Sequence, residues 1–522
     1  MVFESHQPSD APGWVARVQL PEPSLQDNTA DVDRLSDALR KEFGLAALDV
    51  DLSLGRGLPS LLRENHFAVR CLVCRDRHRG VLIHAGPDHA RTVLAGLAID
   101  LGTTRVVMRL MDLDRGKVLA ETAFDNPQLT IGPDVLARVH YTDQPEGLAQ
   151  LNRLIIDGVN RHLERLCESC GLNTAHVHLI AVAGNTAMSH LFAGLPARWI
   201  IREPYIPAAN RFNLIPAAQL GLAAGPLAQV MIFPNVGSYF GGDLIAGILY
   251  SGLHTDSQTA ILVDVGTNAE VVLGNKEWLM ACAGAAGPAL EGGMSRIGTT
   301  AAPGVIDRVR IDPRSGEFHL HTIDDQPPVG ICGSGVIDLA AQLFGAGMID
   351  IRGRFQPAQC GSRLQMHDGL ASLTLVSGDR SGNGRDLCIS QVDMDSLVRS
   401  KAAMYTILET ITGTMGIALE DLEIFYVAGT FGSLIDPKSA ITIGMIPDLP
   451  LDRFRPLGNS SLGGATLALT RRSLPEEAER LRESITYLEL NVNQDFMNRF
   501  SAAKFIPHTD ATRFPSVKMG AS

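Results

Sequence analysis

Two stretches of the 522-residue chain set a carboxylate, a glycine and hydrogen-bonding side chains in the same order. They are Asp100-Leu101-Gly102-Thr103-Thr104 and Asp264-Val265-Gly266-Thr267-Asn268. Each residue type suits phosphate chemistry. Glycine lets a backbone approach a phosphate closely and adopt dihedrals that other residues avoid. The N–H groups of such a turn form an anion-binding concavity, and threonine hydroxyls add donors. An aspartate at the end of a strand can hold Mg2+ through water or orient an attacking nucleophile. One such turn occurs in ordinary hairpins; two copies with matching flanks point to a repeated architecture facing one ligand. A third stretch, Ala183–Ser189, sets Asn185 and Thr186 at a helix start, where they can cap the helix or face a ligand. A fourth, Gly330-Ile331-Cys332-Gly333-Ser334-Gly335, opens a helix with glycines, which suits backbone contact with an anion or a nucleotide.

The elements that must position these residues follow from pattern. Apolar runs Leu97–Ile99 and Val106–Leu110 flank the first turn, and Asp112–Gly116 makes the next, which predicts a β-hairpin. Thr259–Cys282 repeats the device, with Gly274-Asn275 as its second turn. Upstream, Ser24–Phe43 reads as a helix capped by Ser24 or Asp27, with Val32, Leu35, Leu39 and Phe43 at helical spacing. Leu58–Arg63 opens a second helix, and Phe67–Cys74 and Gly80–His84 read as strands. Further on, Leu148–Cys170 predicts a long amphipathic helix and Val177–Val182 a strand. Leu244–Ser251, Val336–Gly345 and Gln391–Thr414 predict helices. The strand Phe425–Ala428 runs into Gly429-Thr430-Phe431-Gly432-Ser433, and Gly458–Ala465 opens one more helix. Residues 352–387 read as a polar surface insertion. The expected organisation is a lead-in at 1–20, a small α+β domain at 21–94, and two α/β lobes at 95–258 and 259–508. A frayed tail at 509–522 completes it.

Composition narrows the function classes. Hydrophobic residues make up 45% and charged residues 20%, as in a globular protein. The net charge of −12 and the lack of a basic run argue against a nucleic-acid partner. Met1–Asp10 lacks the apolar segment of a signal peptide, and no apolar run is long enough to span a bilayer. Eight cysteines spread along a long chain fit a reducing cytoplasm. His84, His140 and His190 are isolated and read as structural or solvated side chains.

In order along the chain, Asp100–Thr104, Ala183–Ser189, Asp264–Asn268 and Gly429–Gly432 resemble the phosphate-1, connect-1, phosphate-2 and adenosine segments of a known superfamily. It joins acetate and sugar kinases, heat-shock chaperone ATPases and actin. Within it, the chain most resembles the reductive activators of corrinoid proteins. The matching stretches are LPEPSLQDNTADVDRL, AIDLGTTRVVMRLMDL, NPQLTIGPDVLARV, VAGNTAMSHLFAGL, VDVGTNAEVVLGN, AAGPALEGG, GICGSGVIDL, VAGTFGSLID and TYLELNVNQDFMNRF, from about residue 17 to 508. The resemblance implies a two-lobed actin-like ATPase fold, a ribonuclease H-like repeat, preceded by the small α+β domain. That domain would be the family's middle domain and take part in forming a homodimer.

The implied activity is ATP-dependent rescue of a corrinoid protein or corrinoid-dependent methyltransferase, returning inactive Co(II) to Co(I). The implied cofactors are ATP and Mg2+. Gly102, Thr103 and Thr104 would grip one side of the triphosphate, and Gly266, Thr267 and Asn268 the other. Asp100 and Asp264 would lie around Mg2+ through water. Gly429, Thr430 and Gly432 would floor the adenosine pocket, with Gly333, Ser334 and Gly335 nearby. Asn185 would orient a water or link the lobes, with a helix cap as the equal alternative. The chain departs from the family in one respect. Neither end carries the four-cysteine motif of an iron–sulfur domain, and the chain begins about where the family's linker would. Cys71/Cys74 and Cys167/Cys170 read as ordinary cysteines rather than a zinc or iron–sulfur site. No iron–sulfur cluster is therefore expected in this chain, and a separate ferredoxin or flavoprotein would supply electrons. The alternatives are an ATP-gated, non-redox chaperone for a corrinoid protein and a small-molecule kinase of the same superfamily.

Overall fold

The computed structural model describes residues 13–76, 79–266, 269–284, 295–312, 315–367, 369–429, 435–490 and 495–518. They divide into two units: Met1–Tyr250 with Ser460–Ser484, and Ser251–Asn459 with Ile485–Ser522.

The first unit opens with the small domain. Strands β1 (Val15–Gln19), β2 (Ala47–Val50), β3 (Ala68–Asp76) and β4 (Arg79–Pro87) form a sheet in the order β1-β3-β4-β2. Helix Asp31–Phe43 buries Leu35, Leu39 and Phe43, the positions that helical spacing singled out. It begins later than expected, and Ser24 and Asp27 do not cap it. Ala30 stands at the cap, while Asp27 binds Thr29 and pairs with the buried guanidinium of Arg34. The second helix spans Leu52–Glu64. Asp51 caps it by accepting from Ser53 N at 2.8 Å, and Pro59, expected at its start, sits inside. The helix forgoes one main-chain hydrogen bond there.

A six-stranded sheet follows: β5 (Ala95–Leu101), β6 (Arg105–Asp112), β7 (Lys117–Asp125), β8 (Val177–Gly184), β9 (Ile215–Pro216) and β10 (Gln229–Ile232). Its order is β7-β6-β5-β8-β10-β9. Two antiparallel hairpins supply β5–β7, and β8 and β10 add in parallel. The central strands are apolar on both faces because helices cover them. Helix Gly147–Ser169 buries Leu151, Ile155, Val159 and Leu163, and helix Ser460–Thr470 packs on β5 and β8. The latter was expected in the second lobe, where chain order puts it. Its side chains are small: a Cβ at Gly464 would lie 2.3 Å from the Ala246 carbonyl oxygen. Only glycine lets it seat beside helix Gly242–Ser251.

The second unit repeats the plan. Its main sheet uses β11 (Ala260–Val265), β12 (Ala269–Gly274) and β13 (Leu279–Gly284). Two three-stranded sheets come next in the chain: β14 (Val305–Ile311), β15 (Phe318–Thr322) and β16 (Gly330–Ile331), then β17 (Leu364–His367), β18 (Leu370–Val376) and β19 (Leu387–Ser390). The second of these occupies much of the stretch expected to be a polar insertion. Strands β20 (Ile424–Ala428), β21 (Phe454–Gly458) and β22 (Ile485–Tyr487) complete the main sheet in the order β21-β20-β11-β12-β13-β22. Both large sheets thus share the 3-2-1-4-5 order of a ribonuclease H-like fold. Helix Gln391–Thr414 matches its expected span and buries Met394, Leu397, Ile407, Leu408 and Ile411. Phe514 is buried against Tyr405, so the expected fraying does not hold at that residue.

Candidate functional site

The first acidic turn is built from β5 outward. Asp100 is the penultimate residue of β5, paired with Val107 across the hairpin. Gly102 turns the chain so tightly that a Cβ there would lie 2.3 Å from the Arg105 carbonyl oxygen. The turn is then held from three sides. Asn126, buried just after β7, donates its amide to Gly102 O at 2.8 Å, and its own N–H binds Thr104 O at 2.7 Å. Asn185, at the end of β8, donates Nδ2 to Thr103 Oγ1 at 3.0 Å and accepts from Met188 N at 2.9 Å. It therefore caps helix Thr186–Ala193 and touches the turn at once. Ser461, in helix Ser460–Thr470, donates its hydroxyl to Asp100 Oδ1 at 2.8 Å.

A second carboxylate stands in the field of Asp100. Asp243 lies in the first turn of helix Gly242–Ser251, where its Oδ1 accepts from Leu244 N at 2.9 Å. Burial, and then the negative charge of Asp100, push its carboxyl up to about 6. Gly241 lets this loop reach Asn185: a Cβ would lie 2.4 Å from Asn185 Cα. Asn235 Oδ1 accepts from Gly242 N at 3.1 Å and fixes the loop from behind.

The second acidic turn has a different setting. Asp264 is the penultimate residue of β11 and pairs in register with Ala428 of β20. Gly429 follows at φ +84°, a backbone that favours glycine. A Cβ there would lie 3.0 Å from Asp264 Oδ1 and 3.2 Å from Val265 O. The register also shows that the hairpins close differently. Leu101 pairs with Val106 across four residues, whereas Val265 pairs with Ala269 across three. Gly266 is described and exposed, while Thr267, Asn268, Thr430 and Gly432 lie outside the described residues. Gly333, Ser334 and Gly335 open helix Gly333–Gly345 and are buried. A Cβ at Gly335 would meet Ile306 O at 2.4 Å, so this glycine serves helix–strand packing.

The other candidates have structural roles. His190 is buried; its Nε2 accepts from Ala209 N at 3.1 Å, which leaves Nδ1 to donate to Thr186 O at 2.6 Å. Burial holds it neutral by lowering its pKa. Cys71 and Cys282 are buried in separate strands, with thiols pushed up to about 12 by burial. Among the described residues, no group of three or more His, Cys, Asp or Glu could hold a metal ion. Mg2+ makes a smaller demand: it needs one or two carboxylates and keeps several waters. Asp100, at the strand end beside the Gly102 turn, can supply one such carboxylate.

Sequence reasoning missed Asn126, Asp243 and Ser461 as parts of this site. Asn126 and Asp243 carried a signal, an Asn-Pro after a strand and an acid behind two glycines at a helix start. Ser461 carried none, because 361 residues separate it from Asp100.

Comparison with known proteins is consistent along the chain. Family models match in succession: the RACo linker region over 9–91, the RACo middle region over 95–256, and the C-terminal domain of RACo, described as the ASKHA domain, over 258–518. The small domain therefore corresponds to the family's linker, and the first large sheet to its middle region. This corrects the expectation that the small domain is the middle one. The chain is 29% identical over 416 residues to the corrinoid activation enzyme RamQ of Eubacterium limosum, covering 78% of this chain and 69% of the relative. It is 24% identical over 439 residues to a Co(II) methylated amine-specific corrinoid protein reductase of Methanosarcina barkeri, covering 77% and 75%. A solved structure of a reductive activator for corrinoid,iron-sulfur protein superposes with a TM-score of 0.86 at 37% identity, covering 97% of this chain and 81% of that one.

Proposed function

The chain belongs to the RACo family of corrinoid activators, and from that premise we propose that it reactivates a corrinoid protein or methyltransferase at the expense of ATP. One electron from a separate ferredoxin or flavoprotein converts Co(II) to Co(I), and the donor is oxidised by one electron. The observation that carries this reading is the likeness to a reductive activator over 97% of the chain, which extends well beyond the two acidic turns.

The residues divide the nucleotide chemistry among them. Backbone N–H groups at Gly102 and Gly266 face the triphosphate, with hydroxyls from Thr103, Thr104 and Thr267 and the amide of Asn268. Asp100 and Asp264 would hold Mg2+ through water, and the ion would supply positive charge to neutralise the phosphates. Gly429, Thr430 and Gly432 line the adenosine, near Gly333, Ser334 and Gly335. Asn185 positions the Thr103 hydroxyl. Asp243, ionised at neutral pH but with a pKa close to it, takes a proton from the water that attacks the γ-phosphorus. That water's oxygen bonds to phosphorus as the bond to the bridging oxygen breaks.

The test is phosphate release with Mg-ATP and a Co(II) corrinoid protein. Asp100→Asn is expected to lower the rate about 100-fold. An unchanged rate overturns the role of Asp100. Transfer of the phosphoryl group to a small molecule, with no inorganic phosphate, overturns the activator reading in favour of a kinase.

A further inference from the structure

We propose that Arg138 is a positioning residue for the nucleotide. Buried behind the two asparagines that hold the Gly102 turn, it acts through them and sets a positive charge at the back of the turn. The inference rests on the nucleotide role proposed for that turn.

Arg138 belongs to the run Asn126–Val139, NPQLTIGPDVLARV. Its side chain is fully buried, in helix Val135–Tyr141. Gly132 makes its shortest contact possible. The loop folds back so closely that a Cβ at Gly132 would lie 2.8 Å from Ala137 Cβ, and the Gly132 carbonyl accepts from Arg138 Nε at 2.9 Å. Nη1 reaches Gln128 Oε1 at 3.3 Å and Met188 Sδ at 3.4 Å. Nη2 is buried and has no hydrogen-bond partner among the described residues.

Two chains of contacts run from this guanidinium to one turn. Gln128, itself fully buried, donates its N–H to Asn126 Oδ1 at 3.0 Å. Asn126 holds Gly102 O and Thr104 O. On the other side, Met188 donates its N–H to Asn185 Oδ1, and Asn185 holds Thr103 Oγ1. Both chains therefore end on the residues that the reading gives to the triphosphate.

The charge is the second observation. Burying a cation is unfavourable unless an acid pairs with it. Among the described residues, no carboxylate forms an ion pair with Arg138. Asp134 is exposed, and its carboxylate accepts from Ala137 N at 2.8 Å. Burial pulls the Arg138 pKa down to about 10, against a smaller upward pull from Asp134, so the group stays charged at neutral pH. An apolar side chain of similar volume would suit the fold as well or better. A positive charge kept in this place suits an anion bound at the turn. Away from water its field carries further and is screened less by salt.

The experiment uses the full chain and three measurements. Calorimetry gives the affinity for Mg-ADP. Phosphate release with a Co(II) corrinoid protein gives KM and kcat for Mg-ATP, and thermal melts without nucleotide report on the fold. Arg138→Gln keeps an amide donor and removes the charge. It is expected to weaken Mg-ADP binding about tenfold and to raise KM by a similar factor, with kcat and the melting midpoint nearly unchanged. Arg138→Lys restores a charge and is expected to recover most of that loss. Unchanged Mg-ADP affinity in Arg138→Gln overturns the proposal, as does a loss that Arg138→Lys fails to recover. An Arg138→Gln protein that does not fold, or whose weaker binding comes with a lower melting midpoint, makes Arg138 a structural residue and overturns it too. If the unsubstituted protein neither binds Mg-ADP nor releases phosphate, the nucleotide role of the turn fails, and this inference with it.

Discussion

The two acidic turns share a sequence pattern and a place in their sheets, and among the described residues their aspartates meet different neighbours. The turn after Asp100 is braced by side chains from later segments: Asn126, Asn185 and Ser461 each donate to it. Asp264 has Gly429 beside it, at φ +84°, where a Cβ would lie 3.0 Å from the carboxylate oxygen. The first hairpin closes over four residues and the second over three.

The largest effect that separates the turns concerns glycine. Gly102→Ala drives a Cβ into the Arg105 carbonyl, backbone against backbone, and is expected to cost about 3 kcal/mol or more. Gly429→Ala meets a carboxylate oxygen at a distance small shifts can relieve, and its strained backbone is expected to cost about 1–3 kcal/mol. Denaturant unfolding measures both; a larger loss at Gly429 would reverse the comparison.

Asn185 sharpens it further. Asn185→Ala removes the cap and is expected to cost about 1 kcal/mol. Asn185→Asp keeps the cap on Met188 N but loses the amide donor to Thr103. Thermal melts should then show little change while phosphate release falls severalfold. A rate that follows stability in both variants would leave Asn185 as a cap alone.

The last effect is a pH dependence at the first turn. Asp243 has a folded-state pKa of about 6, above its ordinary value of 3.8. The folded protein therefore holds this proton more tightly than the unfolded chain, and the contribution favours folding at low pH. It fades as pH rises from about 4 to about 6 and then stays lost. Asp243→Asn should gain stability relative to the unsubstituted protein across that window, and a constant difference between them would contradict the assignment.

What could be read from sequence was what is local. Both hairpins were legible because strand alternation and glycine-rich turns act over a few residues, as was helix Gln391–Thr414. Asp100, Asn185 and Asp264 were legible because each ends or follows a strand. Contacts between distant segments were not. Helix Ser460–Thr470 crosses to the first sheet because Gly464 permits close approach to Ala246, a fact with no trace in chain order. Pro59 misled because a proline usually marks a helix start, whereas Asp51 had already capped this one. Asp243 needed the fold to bring it into the field of Asp100.

The central claim is tested most directly by the visible spectrum of a Co(II) corrinoid protein over time, with a one-electron donor, in the presence and absence of this protein and Mg-ATP. The account predicts that the Co(I) band rises only when both are present, and that Asp100→Asn suppresses it. ATP-dependent co-elution with the corrinoid protein and no Co(I) under any of these conditions would contradict it, and would make the chain a nucleotide-gated chaperone instead.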